Sequence, residues 1–124
     1  MYENNKGNGG IIFMDKSQAV KKATEYAKLV SEKIKLEKVV LYGSYAKGNW
    51  KEESDIDVAV VVNETHDDFL TTEAMLYKLR RNIDDRIEPL LLEKGNDKSG
   101  FLDEILKYGH VVYTAPAISN KNIS

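Results

Sequence analysis

The sequence predicts an α/β (α+β) domain: one small mixed β-sheet with helices packed on it. Three observations carry this. Segments with apolar residues every three or four positions alternate with short apolar runs of strand length. The 124-residue chain is 42% apolar, enough to fill one core but not two. No internal repeat and no linker-like stretch divides it.

Residues 1–10 are rich in Asn and Gly and read as a flexible leader, since such residues cannot repay the entropy of ordering. The domain is expected over 11–114. A first helix should begin near Asp15 or Ser17, with Ala19, Val20, Ala23, Ala27, Val30 and Ile34 on its buried stripe. Val39 to Tyr42 is an apolar run stopped by Gly43, read as a buried strand. Ser44 to Lys47 can close one helical turn, ended by Gly48, and the polar stretch from Asn49 to Ser54 is a loop. Ile56, Val58, Val60 and Val62 alternate with Asp55, Asp57, Ala59 and Val61 as a second strand.

Asp67 and Asp68 stand where a helix start favours negative charge. Phe69, Leu76, Leu79 and Ile83 then fall on one face of a helix ending near Asn82. Arg86 to Leu92 reads as a third strand, and Pro89 within it implies an edge or a bulge. Lys94 to Lys98 makes a turn. Phe101, Leu102, Ile105 and Leu106 mark a last helix capped by Gly109. His110 to Thr114 adds a short strand, and 115–124 reads as a flexible tail.

Composition excludes several functions. Formal net charge is −2, from 18 basic and 20 acidic residues. That balance lacks the basic excess of a nucleic-acid-binding surface, so no direct nucleic-acid binding is expected. The chain has no cysteine, which removes disulfides, zinc–thiolate sites and thiol catalysis. No apolar run approaches the ~20 residues of a membrane span, and the N-terminus lacks the apolar stretch of a signal peptide. A cytoplasmic protein without membrane attachment is the expectation.

The chemistry concentrates between Leu41 and Val62. Gly43-Ser44 is followed, after ten residues, by Asp55-Ile56-Asp57. Residues two apart on a strand point to one face, with Cα atoms roughly 6–7 Å apart. Two such carboxylates repel unless a positive charge lies between them. A hard cation with oxygen ligands meets that need, and Mg²⁺ is the usual one beside phosphates. An Asp-x-Asp pair alone is also an ordinary strand start. Gly43 permits close approach of backbone to a ligand. The N–H groups at the start of the following turn suit phosphate oxygens, with the Ser44 hydroxyl and Lys47 as further donors. Alone, Gly-Ser reads as a plain strand-to-turn junction. Together, a phosphate cradle beside a two-carboxylate metal site is the minimum apparatus for phosphoryl or nucleotidyl transfer.

Leu41-Tyr42-Gly43-Ser44-Tyr45-Ala46-Lys47-Gly48 followed by Ser54-Asp55-Ile56-Asp57-Val58 resembles the nucleotidyltransferase signature of the DNA polymerase β superfamily. The nearest branch is the minimal nucleotidyltransferases (MNT) of the MNT/HEPN antitoxin type. The resemblance runs from the first helix to the last strand and implies the polymerase β-like nucleotidyltransferase fold. It implies a third carboxylate on the next strand, where this chain offers Glu88, with Asp84 and Asp85 as competing acids. Asp55, Asp57 and Glu88 are then the catalytic, metal-holding set, with two Mg²⁺ ions. Gly43, Ser44 and Lys47 bind the nucleotide. Two departures stand out: Lys47 where Arg is frequent, which replaces a fork by a point charge, and Glu88 where Asp is more common.

The resemblance further implies transfer of AMP from ATP, or of another nucleoside monophosphate from its NTP, to a tyrosine of a HEPN-domain toxin partner. A masking module that covers a HEPN ribonuclease without catalysis, and a small-molecule (antibiotic) nucleotidyltransferase, are the alternatives. Either homo- or hetero-oligomers suit these roles. Trp50, in the loop between the motif halves, reads either as a cover for the site or as a half-exposed loop aromatic. Lys78, Arg80 and Arg81 read as a basic patch or a solvated helix end. His66 and His110 are isolated, and Tyr108 and Tyr113 read as packing residues.

Overall fold

The computed structural model describes residues 14–65, 68–97 and 99–117. The expected leader, most of the expected tail, His66, Asp67 and Lys98 lie outside the described residues. Four helices and four strands alternate along the described residues.

Helix α1 (Lys16–Ser31) starts where the sequence placed it, because Asp15 and Gln18 form a reciprocal capping box. Such a box satisfies two backbone donors that a helix start leaves unpaired. The buried stripe is Ala19, Ala23, Tyr26, Ala27 and Val30. Ile34 lies beyond the helix end, not on the stripe as expected, and packs at the margin of the core. Tyr26 belongs to the stripe although a phenol was not expected there. Its hydroxyl is satisfied by donating to the Leu76 carbonyl at 2.7 Å.

Strands β1 (Lys38–Tyr42), β2 (Ile56–Val62), β3 (Ile87–Glu93) and β4 (His110–Thr114) form one sheet in the order β3-β2-β1-β4. β1 runs antiparallel to both β2 and β4, and β2 runs parallel to β3. Parallel neighbours need a long crossover, supplied by helix α3 (Phe69–Leu79) and the 3₁₀ turn Arg80–Asn82. The short helix α2 (Ser44–Lys47) lies between β1 and β2, and α4 (Phe101–Tyr108) precedes β4. β3 is an edge strand, which accommodates Pro89 because its missing N–H is not needed on that side.

The two sheet faces differ. One carries the main core: Val39 and Leu41 of β1, Ile56, Val58, Val60 and Val62 of β2, and Ile87 and Leu91 of β3, covered by α1, Leu76 of α3 and Tyr45 of α2. Each fully buried Val, Leu or Ile contributes about 1.5–3 kcal/mol, so this face dominates stability. The other face is thinly covered: Val40, Ala59 and Ile105 of α4 are buried, with Tyr42, Leu90 and Leu92 half-buried around them. Central β2 is therefore apolar on both faces, except at Asp57.

Further expectations need correction. Phe69 is 38% exposed, because α3 turns only Thr72 and Leu76 fully inward. Tyr108 is 61% exposed, with Lys107 lying over its ring, so it does not pack in the core. Gly109 ends α4 as expected but not through a left-handed conformation. A Cβ there would come within 2.5 Å of Val40 Cγ1 and 2.9 Å of the Leu41 carbonyl, so glycine lets the helix end lie directly on β1. Among the described residues, no helix is long and apolar enough to cross a membrane.

Candidate active site

The sheet register builds the site. Tyr42 of β1 lies opposite Asp57 of β2, and Asp57 lies opposite Glu88 of β3. The three residues form a row across adjacent strands on the thinly covered face. The row sits where β1 leaves for α2 and where β2 and β3 enter the sheet. Asp57 is half-buried and Asp55 exposed. Strand β2 begins at Ile56, so Asp55 stands in the approach loop, one step outside the strand expected to hold both carboxylates.

The electrostatics report the proximity. Burial first, and then the charges of Asp55 and Glu88, hold the Asp57 carboxyl above its ordinary range. Burial, followed by the charges of Asp57 and Glu88, pushes the Tyr42 phenol up to about 12. Tyr42 thus stays protonated among carboxylates, in a row where sequence patterning showed only a strand end. Its place directly before Gly43 was the available signal.

Gly43 meets Asp57 directly. Its backbone adopts φ 73°, ψ −148°, a region essentially reserved for glycine. A Cβ at Gly43 would collide with Asp57 Oδ2 and lie 3.0 Å from Asp57 Cγ. The glycine of the motif therefore serves the aspartate of the motif: the turn passes over the carboxylate with no room for a side chain. Ser44 opens α2, whose first N–H groups have no acceptor within the helix. Buried Tyr45 anchors the turn and stacks on Trp50, with ring centroids 5.5 Å apart. Trp50 is thus committed to packing beneath the turn. Lys47 is exposed and lines a cavity of about 200 Å³ with Tyr42, Gly43 and, across from them, Phe101, Glu104 and Tyr108 of α4.

Glu88 lies on β3 directly opposite Asp57, but its carboxylate is occupied. Oε1 accepts from Arg80 Nη1 at 3.1 Å, and Oε2 from the Tyr77 hydroxyl at 3.2 Å. Among the described residues, no three acidic or histidine side chains converge into a ready metal cage. The oxygen-only donors Asp55 and Asp57, which flank Ile56 at the entry to β2, nevertheless fit a hard dication. The competing acid Asp84 is excluded by its partners. Arg86 at 2.9 Å and Lys22 at 3.3 Å bind it, and mainly through Arg86 its carboxyl is lowered to about 2. Asp85 is exposed in the turn before β3.

Known proteins match the same architecture. The family described as "Polymerase beta, Nucleotidyltransferase" matches residues 24–117. Two relatives from Methanocaldococcus jannaschii are named "Putative protein adenylyltransferase". One is 38% identical over 81 residues, covering 62% of this chain and 79% of the relative. The other is 31% identical over 105 residues, covering 81% of this chain and all of the relative. Among solved structures, a protein from Sulfolobus solfataricus described as a "putative nucleotidyltransferase" superposes with TM-score 0.60 at 23% identity, covering 80% of this chain and 83% of that one. A toxin–antitoxin structure with AMP-PNP gives TM-score 0.57 at 25% identity, covering 74% and 73%. With the family match spanning most of the chain, and the carboxylate row and glycine turn in place, the protein belongs to the polymerase β nucleotidyltransferase family and is a nucleotidyltransferase.

Proposed function

We propose that the chain is a Mg²⁺-dependent protein adenylyltransferase that moves AMP from ATP to a tyrosine hydroxyl of a HEPN-domain toxin, and so acts as its antitoxin. The observation that carries this reading is the register that sets Asp57 between Glu88 and the Gly43 turn. The names of the M. jannaschii relatives support protein as the acceptor. The toxin–antitoxin neighbour with AMP-PNP supports a toxin as that protein.

On this reading Asp55, Asp57 and Glu88 hold the metal. When bound, Mg²⁺ neutralises the charge of the triphosphate and departing pyrophosphate and lowers the pKa of the acceptor hydroxyl. Gly43 and Ser44 present backbone and hydroxyl donors to the phosphates, and Lys47 adds a point charge. The acceptor oxygen attacks the α-phosphorus, the bond from α-phosphorus to the bridging oxygen breaks, and pyrophosphate leaves. Glu88 serves as third ligand or as base for the phenolic proton. The open sheet face leaves the carboxylate row reachable by a side chain of another protein.

A second reading, masking of the toxin without transfer, is favoured by the exposed apolar side chains Phe101, Leu106 and Tyr108 of α4 and Val111 of β4, which suit a protein contact. Mass spectrometry of a co-expressed HEPN partner, incubated with ATP and Mg²⁺, separates the two. Added AMP with wild type and none with Asp57→Asn supports transfer. A stable complex with no added mass from either chain refutes transfer and supports masking.

A further inference from the structure

Glu88 carries more partners than an edge-strand carboxylate needs. Arg80 Nη1, which donates to Glu88 Oε1, also donates to the Ile87 carbonyl at 2.9 Å. The guanidinium carbon lies 5.0 Å from the centroid of the Tyr77 ring, and the Tyr77 hydroxyl takes the second Glu88 oxygen. Both residues come from the α3 crossover, which packs on the main-core face. They reach Glu88 at the β3 edge and take both of its carboxylate oxygens.

The Glu88 side chain is 42% exposed and that of Arg80 26%. An ion pair this wet changes an equilibrium constant by less than about fivefold. It is strong enough to hold Glu88 in one place while no better partner is present, and weak enough to surrender it. A dication between Asp55 and Asp57 is a better partner, because a hard metal favours a third oxygen ligand over a solvated guanidinium.

We propose that Arg80 and Tyr77 form a latch that holds the Glu88 carboxylate at the β3 edge, from which a divalent cation at Asp55 and Asp57 draws it into the site. Arg80 and Tyr77 are then positioning residues that act through Glu88. In the metal-free site both Glu88 oxygens are taken by Arg80 and Tyr77, at the cost of weaker cation binding. This rests on the metal-site reading above.

The test is Mn²⁺ binding to the full chain without nucleotide, followed by the electron paramagnetic resonance of free Mn²⁺. Circular dichroism melts check the fold of each variant. Arg80→Met is expected to tighten Mn²⁺ binding by roughly two- to fivefold, and by clearly less in a Glu88→Gln background, where the latch has nothing to hold. Tyr77→Phe, which removes only the hydroxyl, should tighten binding in the same direction and serves if Arg80→Met fails to fold. Equal gains in both backgrounds would mark simple loss of a positive charge and overturn the latch. Unchanged or weaker binding in Arg80→Met or Tyr77→Phe overturns it as well. Mn²⁺ binding that is indifferent to Asp57→Asn overturns the metal-site reading and the latch together, whereas Asp57-dependent binding that ignores Arg80 and Tyr77 overturns the latch alone.

Discussion

Replacing Gly43 by alanine should cost both stability and transfer, and the geometry sets how much. The backbone at φ 73°, ψ −148° strains any residue with a Cβ, by about 1–3 kcal/mol. The new methyl would also stand 3.0 Å from Asp57 Cγ and 3.2 Å from Asp57 Cβ, and strike Oδ2. Asp57 cannot retreat along the sheet, because its strand is paired with Tyr42 on one side and Glu88 on the other. Its side chain must leave its rotamer, at a further ~0.5–1.5 kcal/mol. The sum is roughly 1.5–4.5 kcal/mol, a loss on the order of 10 °C in Tm for a domain of this size. On the proposed role of Asp57, displacing its carboxylate by about 1 Å should cost on the order of a hundredfold in rate. Pyrophosphate release and thermal melting on one preparation measure both. In an Asp57→Ala background the stability cost of Gly43→Ala should shrink toward the backbone strain alone. A Gly43→Ala chain that matches wild type in melting and turnover would refute the claim that the glycine exists to make room for Asp57.

Other expectations follow from single contacts. Asp57→Asn should melt no lower than wild type near neutral pH. A carboxyl held above its ordinary range supports folding only while protonated, and that support is lost as pH rises through its folded pKa; a drop of several degrees would contradict this. Asp84 is the opposite case. With its carboxyl lowered to about 2, its support is present above the ordinary Asp range and lost as pH falls toward 2. Asp84→Asn should therefore cost about 1–2 kcal/mol at neutral pH in urea unfolding, and the gap from wild type should close in acid. Tyr26→Phe removes the buried bond between α1 and the Leu76 carbonyl of α3, leaves that carbonyl only the Arg80 backbone N–H, and should cost about 0.5–1.5 kcal/mol in the same assay.

The elements were legible because their signals are local. Asp15 and the apolar stripe announce the start of α1, Gly43 stops β1, and alternation from Ile56 to Val62 marks β2. Pro89 limited β3 to an edge or a bulge, and the pairing makes it an edge. What was hidden depends on which strands become neighbours. Nothing in the spacing of Tyr42, Asp57 and Glu88 sets them in one row; the antiparallel β1–β2 pairing and the parallel β2–β3 pairing do. Arg80 read as a solvated helix end because its partner is eight residues on, across the turn into β3. Phe69 and Tyr108 were misplaced for a related reason. Helical periodicity says which residues share a face, but not how far the sheet beneath extends to cover them.

The same contrast explains why the site was visible at all. Central β2 has an apolar side chain at every position but one, since both of its faces are covered. Asp57 breaks that pattern, at a place where burial and two like charges all oppose its ionisation. A chain selected only for stability would carry an apolar residue there. Local rules fail where function requires it, and here a second departure stands against the first: the strained turn at Gly43, shaped to the carboxylate. Each feature alone has an ordinary explanation, as a strand start or as a turn. Their direct contact does not, because the strain at Gly43 and the charge at Asp57 each lower stability, and neither relieves the other. What offsets both is the main core on the opposite face, where α1, α2 and α3 cover the sheet and leave the thin face free to hold an unfavourable but reactive arrangement.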